Sequence, residues 1–469
     1  MGGLRARRAG VARLGTRAGG HGHRRAARRG PRSGARPGGS RGRCGGARAP
    51  SGHGSGRGPS RSRGLSRARR TLLLGRRGGA ARRPVPGGRR VSARRPVFLG
   101  HTAAPSGAEL AFARLAAELR RRGVSASVVL LAPGPLTDVL EAAEVPVTVV
   151  PGRPPKVRRD SGPWALLRGA VGLYRDGRRL APLLLAHDAD VVVAESTKTL
   201  LVGAVAARRT GIPLVWQVHD RVSAEYFGRA RFPLRLLGRV AASGYLANSR
   251  GTLRTISTGG SPTAVCHPGV DLGAVPAPAP QRAPKNVKIA MVGRITPWKG
   301  QDLLLRALAQ MEATPEVQFV GGTHFDGDDQ YLADLEELAE RLDIAHRVTF
   351  TGHVADPLAA TADADVVVHY SRLTEPFGQV VAEAMAAGRV VVAARAGGPT
   401  ELIVDGENGL LVPPRRPDLL AVALDAVIAD WELREQLSAA ALQRGRDLDL
   451  KTSAAIADSL LARVARDGR

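Results

Sequence analysis

Residues 366–393 read VVVHYSRLTEPFGQVVAEAMAAGRVVVA, and the prediction of the fold starts from this stretch. An apolar run opens it at Val366–His369, a second closes it at Val390–Ala393, and a helical pattern lies between them at Gln379–Ala387. Both runs are continuous rather than alternating, which is typical of parallel strands covered on both faces. The stretch is therefore predicted to form a strand, a loop, a helix and a second parallel strand.

The same alternation continues on both sides of this stretch. Before the Pro- and Ala-rich segment Ala274–Pro284, strands are predicted at Pro96–Gly100, Ser125–Leu131, Val145–Val150, Val191–Ala194, Pro213–Val218, Gly244–Ala247 and Thr263–Cys266. Beyond it, further strands are predicted at Val287–Val292, Val317–Val320, Arg347–Phe350 and Gly409–Val412. We therefore predict an α/β protein of two doubly wound domains, 96–273 and 285–450, with a final helix at 451–469 that packs back on the first domain.

The charge of the chain is concentrated in one segment. The 469 residues carry a formal net charge of +29, yet residues 1–95 hold 28 of the basic residues and neither an acidic nor an aromatic residue. Such a composition cannot bury enough apolar surface to offset the entropy of ordering, so residues 1–95 are predicted to be disordered. Either the segment is a basic arm that touches RNA, DNA or anionic lipid, or it is a non-native extension. The absence of aromatic side chains that could stack on bases favours the second interpretation.

Several other classes of protein are disfavoured by the sequence. No stretch approaches 18 apolar residues, so no membrane-spanning helix is predicted. The two cysteines, Cys44 and Cys266, fit neither a disulfide framework nor a zinc site, and they suit a cytoplasmic setting. The acidic run Asp326–Asp329 is interpreted as a solvated loop, and we expect no cofactor. A dehydrogenase is disfavoured because no G-x-G-x-x-G follows the first strand of either domain.

The loop in the opening stretch carries the most informative side chains. In doubly wound sheets ligands bind beyond the carboxyl ends of the strands, and a cleft between two domains is the natural place for an active site. Pro376 and Gly378 stand where the loop turns into a helix, whose free N–H groups and dipole favour a phosphate. Glu375 precedes this turn, and Glu383 follows one turn into the helix among apolar residues. A ribose diol would suit Glu383, although pairing with an arginine or facing solvent is an equal alternative.

Glu375-Pro-Phe-Gly with a second glutamate at Glu383 resembles the E-x7-E signature of glycosyltransferase family 4. Four further segments are similar to motifs of that family, in the same order: His267–Asp271, Gly293–Gly300, Arg395–Glu401 and Asp405–Val412. The resemblance covers about residues 96–450. It implies the GT-B fold, in which two Rossmann-like domains face a central cleft. It also implies transfer of a sugar from a nucleotide-sugar donor with retention at the anomeric carbon, and no required metal.

Carried over position by position, the resemblance assigns catalysis to Glu375, His219, Arg294 and Lys299. Arg294 and Lys299 would hold the donor diphosphate and neutralise the charge that develops on the leaving group. Glu375 would accept hydrogen bonds from the sugar hydroxyls. His219, after the predicted strand Pro213–Val218, matches a histidine that lies near the reacting sugar in many members of the family.

The remaining carried-over positions belong to the donor site. Backbone N–H groups near Phe377, Gly378 and Gln379 would meet the sugar or phosphate, and Glu383 would bind the ribose. Gly397 and Gly398 would let the backbone approach the donor closely, and Glu401 would lie nearby. In the first domain only Gly107 of the expected glycine-containing loop is carried over, because Ser106 stands where the family often has another glycine.

The sequence thus predicts a retaining, hexosyltransferase-type enzyme of glycan, glycolipid or glycoside biosynthesis, for example of the cell envelope. Its second domain would bind a UDP- or GDP-sugar, and its first domain would bind a hydroxyl acceptor: a sugar, a lipid-linked sugar or a small metabolite. A peripheral membrane contact stays open, and a nucleic-acid partner is disfavoured. The alternatives are another GT-B enzyme, such as a nucleotide-sugar 2-epimerase or a phosphorylase, and a nucleic-acid binder acting through residues 1–95. The last would bind with a steep salt dependence that disappears when the arm is removed.

Overall fold

The computed structural model describes residues 94–103, 106–150, 163–323, 328–354 and 356–468. The predicted disordered extension lies outside these residues except for Arg94 and Arg95. Arg94 Nε donates to Asp458 Oδ1 at 3.0 Å, and Arg95 Nε donates to the carbonyl of Asp188 at 3.0 Å. These two arginines are therefore part of the folded first domain.

The strands of the first sheet are β1 (Pro96–Gly100), β2 (Ser127–Leu130), β3 (Val147–Val149), β4 (Val191–Ala194), β5 (Leu214–Val218), β6 (Gly244–Ala247) and β7 (Thr263–Val265). All are parallel, in the order β3-β2-β1-β4-β5-β6-β7. The helices of this region are α1 (Gly107–Arg121), α2 (Leu136–Ala142), α3 (Pro163–Ala186), α4 (Thr197–Thr210), α5 (Ala224–Phe227), α6 (Arg231–Ala241) and α7 (Arg250–Leu253).

The strands of the second sheet are β8 (Lys288–Val292), β9 (Glu316–Val320), β10 (Val348–Gly352), β11 (Val366–His369), β12 (Val390–Ala394) and β13 (Leu410–Val412). They are also parallel, in the order β10-β9-β8-β11-β12-β13. The helices that follow α7 are α8 (Gln301–Leu308), α9 (Asp328–Arg341), α10 (Pro357–Ala362), α11 (Gln379–Ala386), α12 (Pro399–Leu402), α13 (Pro417–Ala429), α14 (Trp431–Arg446) and α15 (Leu450–Asp467).

Each sheet is buried between two apolar layers. Alternate residues of β1 show this: Phe98 packs in one layer of the first sheet, and Val97 and Leu99 pack in the other. The second sheet has the same two-sided arrangement, which is why its strands read as continuous apolar runs. The predicted fold class, two doubly wound α/β sheets in the GT-B arrangement, is confirmed.

The chain crosses between the two domains twice, and the two crossings lie side by side. The N–H of Val270 donates to the carbonyl of Leu448 at 2.8 Å, and the N–H of Leu450 donates to the carbonyl of Val270 at 3.0 Å. Helix α15 starts at this point and covers one face of the first sheet through Ala457, Leu461 and Val464. The last helix therefore contributes to the core of the first domain.

The Pro- and Ala-rich linker is held on the second domain. The buried Arg389 donates from Nη2 to the carbonyl of Ala279 at 3.1 Å. Arg282 forms ion pairs with Asp363 at 2.7 Å and with the buried Asp365 at 3.1 Å. The end of the linker is thus fixed beside β8 and β11, whose carboxyl ends carry the candidate site.

Candidate active site

The centre of the second sheet brings two predicted site residues together. Strands β8 and β11 pair at its middle, where the order of the strands reverses, and such a switch point is where doubly wound sheets bind ligands. Lys299 lies in the loop after β8, and Glu375 lies in the loop after β11. Lys299 Nζ is 3.1 Å from Glu375 Oε2, so this ion pair bridges the switch point.

Glu375 is buried and accepts from more than one group. Its Oε2 accepts from the Ser371 hydroxyl at 2.9 Å and lies 3.3 Å from Nε2 of His369, the last residue of β11. Burial alone would raise the pKa of Glu375, but the charges of Lys299 and His369 outweigh it and hold the pKa well below its usual range. Glu375 is therefore a carboxylate that stays ionised throughout the neutral pH range. His369 was not identified from the sequence as a site residue, although its position at the end of an apolar run could have indicated it.

Lys299 and Arg294 form the cationic side of this site. The Lys299 ammonium lies 4.2 Å from the centre of the Trp298 ring, and its stem passes over Gly293. Burial lowers the pKa of Arg294, and the charge of Asp328 opposes this effect. Asp328 is buried at the start of α9, so the prediction of a solvated acidic loop is wrong at this residue. The charge of the Arg294 guanidinium attracts the carboxylate of Asp328 toward the interior. Asp326 lies outside the described residues.

Gly397 and Gly398 support the Glu375 loop directly. A Cβ on Gly397 would lie 2.0 Å from the carbonyl oxygen of Glu375, and a Cβ on Gly398 would lie 2.0 Å from that of Phe377. The N–H of Gly398 also donates to the Glu375 carbonyl at 2.8 Å. The two glycines are therefore required where two backbone segments meet. That these two glycines contact a donor stays a prediction.

Helix α11 begins one residue after Gly378, which has a φ of 94°. As at any helix start, the first N–H groups, including that of Gln379, have no partner within the helix. Phe377 does not face an open cavity: its ring is buried, with its centre 5.2 Å from that of His267. Of this segment, the backbone rather than the Phe377 side chain is placed to meet a ligand.

Glu383 faces the first domain from α11. Its Oε1 is 3.3 Å from Nη1 of Arg114 in helix α1, and it accepts from Gln379 Nε2 at 3.0 Å. The alternative of an arginine partner is therefore realised in this structure. Because Arg114 reaches Glu383 across the two domains, the pair marks the place where α1 and α11 approach each other. Gly107 starts α1, and a Cβ there would have no atom within 4 Å.

The first domain contributes a second histidine–carboxylate pair. His219 follows β5, and its Nε2 is 2.8 Å from Oε2 of Glu195, the residue directly after β4. Asn248, after β6, donates from Nδ2 to the carbonyl of His219 at 2.7 Å and fixes its backbone. Glu195 was not identified from the sequence as a site residue. The signal was available, since Glu195 follows the run Val191–Ala194 as His219 follows β5.

The environment of this pair sets its protonation. Burial raises the pKa of Glu195 to about 7, and the hydrogen bond from His219 only partly opposes this. Burial would lower the pKa of His219, but the hydrogen bond and charge of Glu195 more than offset it, so that pKa is raised. The hydrogen bond between Nε2 and Oε2 therefore joins two groups whose pKa values are both raised.

Glu401 does not point at the other predicted donor-site residues. Its carboxylate accepts from the N–H groups of Arg250 at 2.9 Å and Gly251 at 2.6 Å, both in α7 of the first domain. The structure thus gives Glu401 a contact between the two domains, while its predicted place beside a donor stays untested.

The arrangement combines three chemical capacities. Cationic Lys299 and Arg294, with the start of α11, can bind an anionic group such as a diphosphate. The ionised Glu375 can accept hydrogen bonds from hydroxyls. His219 with Glu195 can hold or pass a proton on the opposite wall. Among the described residues, no cluster of three or more His, Cys, Asp or Glu side chains could hold a metal ion, and no helix could span a membrane.

Two family models match the chain on either side of the linker. The model described as Glycosyltransferase Family 4 matches residues 105–274, and the model described as Glycosyl transferases group 1 matches residues 278–444. The first match takes in β2 to β7 of the first sheet, and the second takes in all six strands of the second sheet. Together they include all twelve predicted site residues.

Curated relatives carry one recurring name. The chain is 36% identical over 274 residues to the D-inositol 3-phosphate glycosyltransferase of Kribbella flavida, across 52% of this chain and 64% of that protein. It is 33% identical over 291 residues to the protein of the same name from Nocardioides sp., across 55% and 63%. The matched region thus spans slightly less than two thirds of the length of these relatives.

Solved structures match over a longer range. The Anabaena protein Alr3699/HepE, in complex with UDP and glucose, superposes with a TM-score of 0.66 and 30% sequence identity. The match covers 78% of this chain and 99% of that one. The same protein has also been solved with UDP-glucose.

Proposed function

This chain belongs to glycosyltransferase family 4, and we propose that it transfers a sugar from a nucleotide-sugar donor to a hydroxyl acceptor with retention at the anomeric carbon. The observation that carries the proposal is the Lys299–Glu375 ion pair across the switch point of the second sheet, whose side chains are only 16% and 13% exposed. It places a cation for a diphosphate beside an anion for sugar hydroxyls. A donor that carries both groups satisfies both charges.

In the proposed reaction the bond between the anomeric carbon and the diphosphate oxygen breaks, and its electron pair leaves with the diphosphate. Lys299, Arg294 and the N–H groups at the start of α11 stabilise the charge that develops there. The acceptor hydroxyl attacks from the same face, and its proton passes to the departing diphosphate oxygen. Glu375, whose Oε2 is held by Lys299 and Ser371, orients the sugar in this scheme and is not proposed as a covalent nucleophile.

The donor proposed first is a UDP-sugar. The support is the likeness to HepE, which was solved with UDP, glucose and UDP-glucose. The acceptor would bind on the first-domain side, near His219. Inositol 3-phosphate is the first acceptor to test, since the relatives with matching regions are named for it. No cofactor or required metal enters this scheme.

The donor proposal is tested by thermal unfolding with UDP-, GDP- and ADP-sugars and by assay of sugar transfer. A donor at about a hundredfold excess over its Kd stabilises the protein by about 2.7 kcal/mol, a rise of several degrees in Tm. Lys299→Ala should abolish this rise and lower transfer at least a hundredfold. Lys288→Ala is the matched control, because Lys288 also pairs with a carboxylate, Asp363 at 3.2 Å, on the surface of the same domain.

The outcomes separate the proposal from its alternatives. No stabilisation by any nucleotide sugar would refute the donor site. Release of free nucleotide together with an altered sugar, without an acceptor, would instead indicate a 2-epimerase. Dependence on inorganic phosphate would indicate a phosphorylase. The stereochemistry of the product, read by NMR of the anomeric proton, tests retention.

A peripheral contact with an anionic lipid surface is the second part of the proposal. Helix α6 exposes Phe232, Leu236 and Val240 by 57%, 61% and 78%, one turn apart on one side. Arginines flank them, among them the exposed Arg229 and Arg239, and residues 228–243 contain no acid. Apolar side chains with basic neighbours suit the headgroup region of a membrane.

Co-flotation with phosphatidylglycerol vesicles should be lost in Leu236→Glu and kept in Val422→Glu, which changes an exposed valine of the second domain. The cytoplasmic setting stays a prediction from the cysteine content.

A further inference from the structure

The loop that carries Glu375 is held on both sides by the first domain. On one side of Glu375, the Tyr226 hydroxyl donates to the carbonyl of Thr374 at 2.9 Å, and the N–H of Thr374 donates to Glu225 Oε1 at 3.0 Å. On the other side, the Ser249 hydroxyl donates to the carbonyl of Pro376 at 2.6 Å. The two residues that flank Glu375 thus make backbone hydrogen bonds across the domains.

A second set of bonds joins the same two domains beside this loop. The carboxylate of Glu401 accepts from the N–H groups of Arg250 and Gly251 at 2.9 and 2.6 Å. Arg250 is the first residue of α7, so these N–H groups have no partner within their own helix. Glu401 lies only three residues after Gly398, which packs on Phe377. The two sets of contacts therefore act on two neighbouring segments of the second domain, the loop after β11 and the segment that follows β12, which pack against each other at Gly397 and Gly398.

The side chain of Glu375 and the backbone on either side of it are held by different domains. Its carboxylate contacts Lys299, Ser371 and His369, all of the second domain. The backbone on either side of it depends on Tyr226, Glu225 and Ser249 of the first domain. If the domains separate, the backbone groups of Thr374 and Pro376 lose these partners together, and the loop keeps only its contacts within the second domain, among them the hydrogen bond from the Gly398 N–H to the Glu375 carbonyl.

We propose that Glu225, Tyr226, Ser249 and Glu401 form an interdomain clamp that positions Glu375 for transfer only when the two domains are closed. These four are positioning residues, since they act through the loop and not on the substrate. Glu401 thereby has a role in closure rather than in holding the donor. The proposal rests on the proposed sugar transfer, but the clamp itself can be measured without it.

The kinetic test uses Tyr226→Phe, which removes one hydroxyl and leaves the ring. Loss of one neutral hydrogen bond should lower kcat about three- to tenfold. The Kd for UDP-glucose should change less than twofold, because the donor-binding residues are untouched. Tyr245→Phe is the matched control: its hydroxyl donates to the carbonyl of Ser257 at 3.3 Å, within the first domain. An unchanged kcat in Tyr226→Phe, or an equal loss in Tyr245→Phe, would overturn the clamp.

The second test is amide hydrogen exchange of the full chain, which needs no activity. Glu401→Gln replaces one acceptor oxygen by a donor, so exchange at Arg250 and Gly251 should speed up about tenfold or more, as for hydrogen bonds to a charged group. Exchange at Thr374 should rise with it, because the two sets of contacts open together. Glu407→Gln, at an exposed glutamate six residues on, should leave all three amides unchanged.

The two tests fail in different ways. If no donor and acceptor pair supports transfer but Glu401→Gln accelerates exchange at Thr374, the proposed function is wrong and the coupling of the two sets of contacts stands. If transfer is observed while Thr374 exchanges at the wild-type rate in Glu401→Gln, the clamp is wrong and the function stands.

Discussion

Each domain presents a histidine paired with a glutamate beyond its central strands, and the two pairs have opposite electrostatic settings. In the second domain, His369 Nε2 lies 3.3 Å from Glu375, whose Oε2 also meets Lys299 and Ser371. In the first domain, His219 Nε2 lies 2.8 Å from Glu195. The second carboxylate oxygen of Glu195, Oε1, is buried with no hydrogen-bond partner among the described residues. Neighbouring groups therefore decide the charge of each pair.

The two pairs are therefore suited to different chemical tasks on the two sides of the cleft. The cation beside Glu375 holds the pKa of that carboxyl well below its usual range, so Glu375 is a fixed negative charge. Burial without a cation raises the pKa of Glu195 to about 7, so the His219 pair exchanges a proton near neutral pH. A fixed anion suits the binding of hydroxyls and cations, whereas a titrating pair suits the side where an acceptor hydroxyl reacts.

The largest effect should come from removing the fixed charge. Glu375→Gln keeps the shape of the side chain but leaves Lys299 without its counter-charge and the sugar with a weaker acceptor. We expect transfer to fall about 10²- to 10³-fold, the usual cost of losing a group that stabilises the transition state, and Tm to fall as well, because the ionised carboxyl also stabilises the folded state. The measurement is kcat/KM for the donor. The matched control is Glu337→Gln, an exposed glutamate that pairs with Arg341. If Glu375→Gln retained a third of the activity, the importance of the fixed charge would be refuted.

The residues around this fixed charge differ in how far the sequence could predict them. Glu375 and Lys299 lie in local motifs next to predicted strands. The sequence alone was therefore enough to predict that both residues lie at one edge of the second sheet. Glu195, Arg114 and the contact of Glu401 with Gly251 depend on how two domains meet. The last pair is 150 residues apart in the chain, and no local pattern encodes such a distance.

The elements of the fold divide in a similar way. Predicted strands and helices agree with the structure to within one to three residues at each end, because their apolar runs fill both faces of a sheet. Helix α3 was not predicted: Gly177 and Pro182 interrupt it, and both residue types disfavour helix. In the structure Gly177 lies where α3 meets α4, and a Cβ there would be 2.6 Å from Val205. Tertiary packing, which the local pattern does not contain, requires that glycine.

A smaller effect is expected on the free energy of unfolding when each of the two histidines is changed to asparagine in turn. Asparagine has no atom at the position of Nε2. His219→Asn removes the hydrogen-bond partner of the buried Glu195, so we expect a loss of about 1–3 kcal/mol in the free energy of unfolding. His369→Asn should cost less, since Glu375 keeps Lys299 and Ser371. Urea denaturation of the two variants at pH 7 measures the difference. Equal losses would show that the pairs are not distinguished by their surroundings.

The smallest expected effect concerns how the free energy of unfolding depends on pH, which Glu195→Gln should alter. In the wild type both Glu195 and His219 have raised pKa values in the folded state, so the native pair holds protons that the unfolded chain has already released. Their contribution to stability is present at low pH and is lost as the pH rises from about 4.5 through about 7. Glutamine does not titrate, and without the carboxylate the largest effect left on His219 is burial, which lowers its pKa against the smaller opposing charges of Asp220 and Glu109. Its contribution should then rise, rather than fall, with pH.

The difference in unfolding free energy between wild type and Glu195→Gln should therefore shift by roughly 1 kcal/mol, or one pK unit, between pH 5 and pH 8. The wild type loses its relative advantage at the higher pH. Glu118→Gln is the control, because Glu118 is also buried in the first domain but pairs with Arg121 at 2.7 Å. Parallel pH curves for wild type and Glu195→Gln would mean that Glu195 is as permanently charged as Glu375. The contrast between the two histidine–glutamate pairs would then be lost, and with it the reason to expect a titrating pair on the acceptor side.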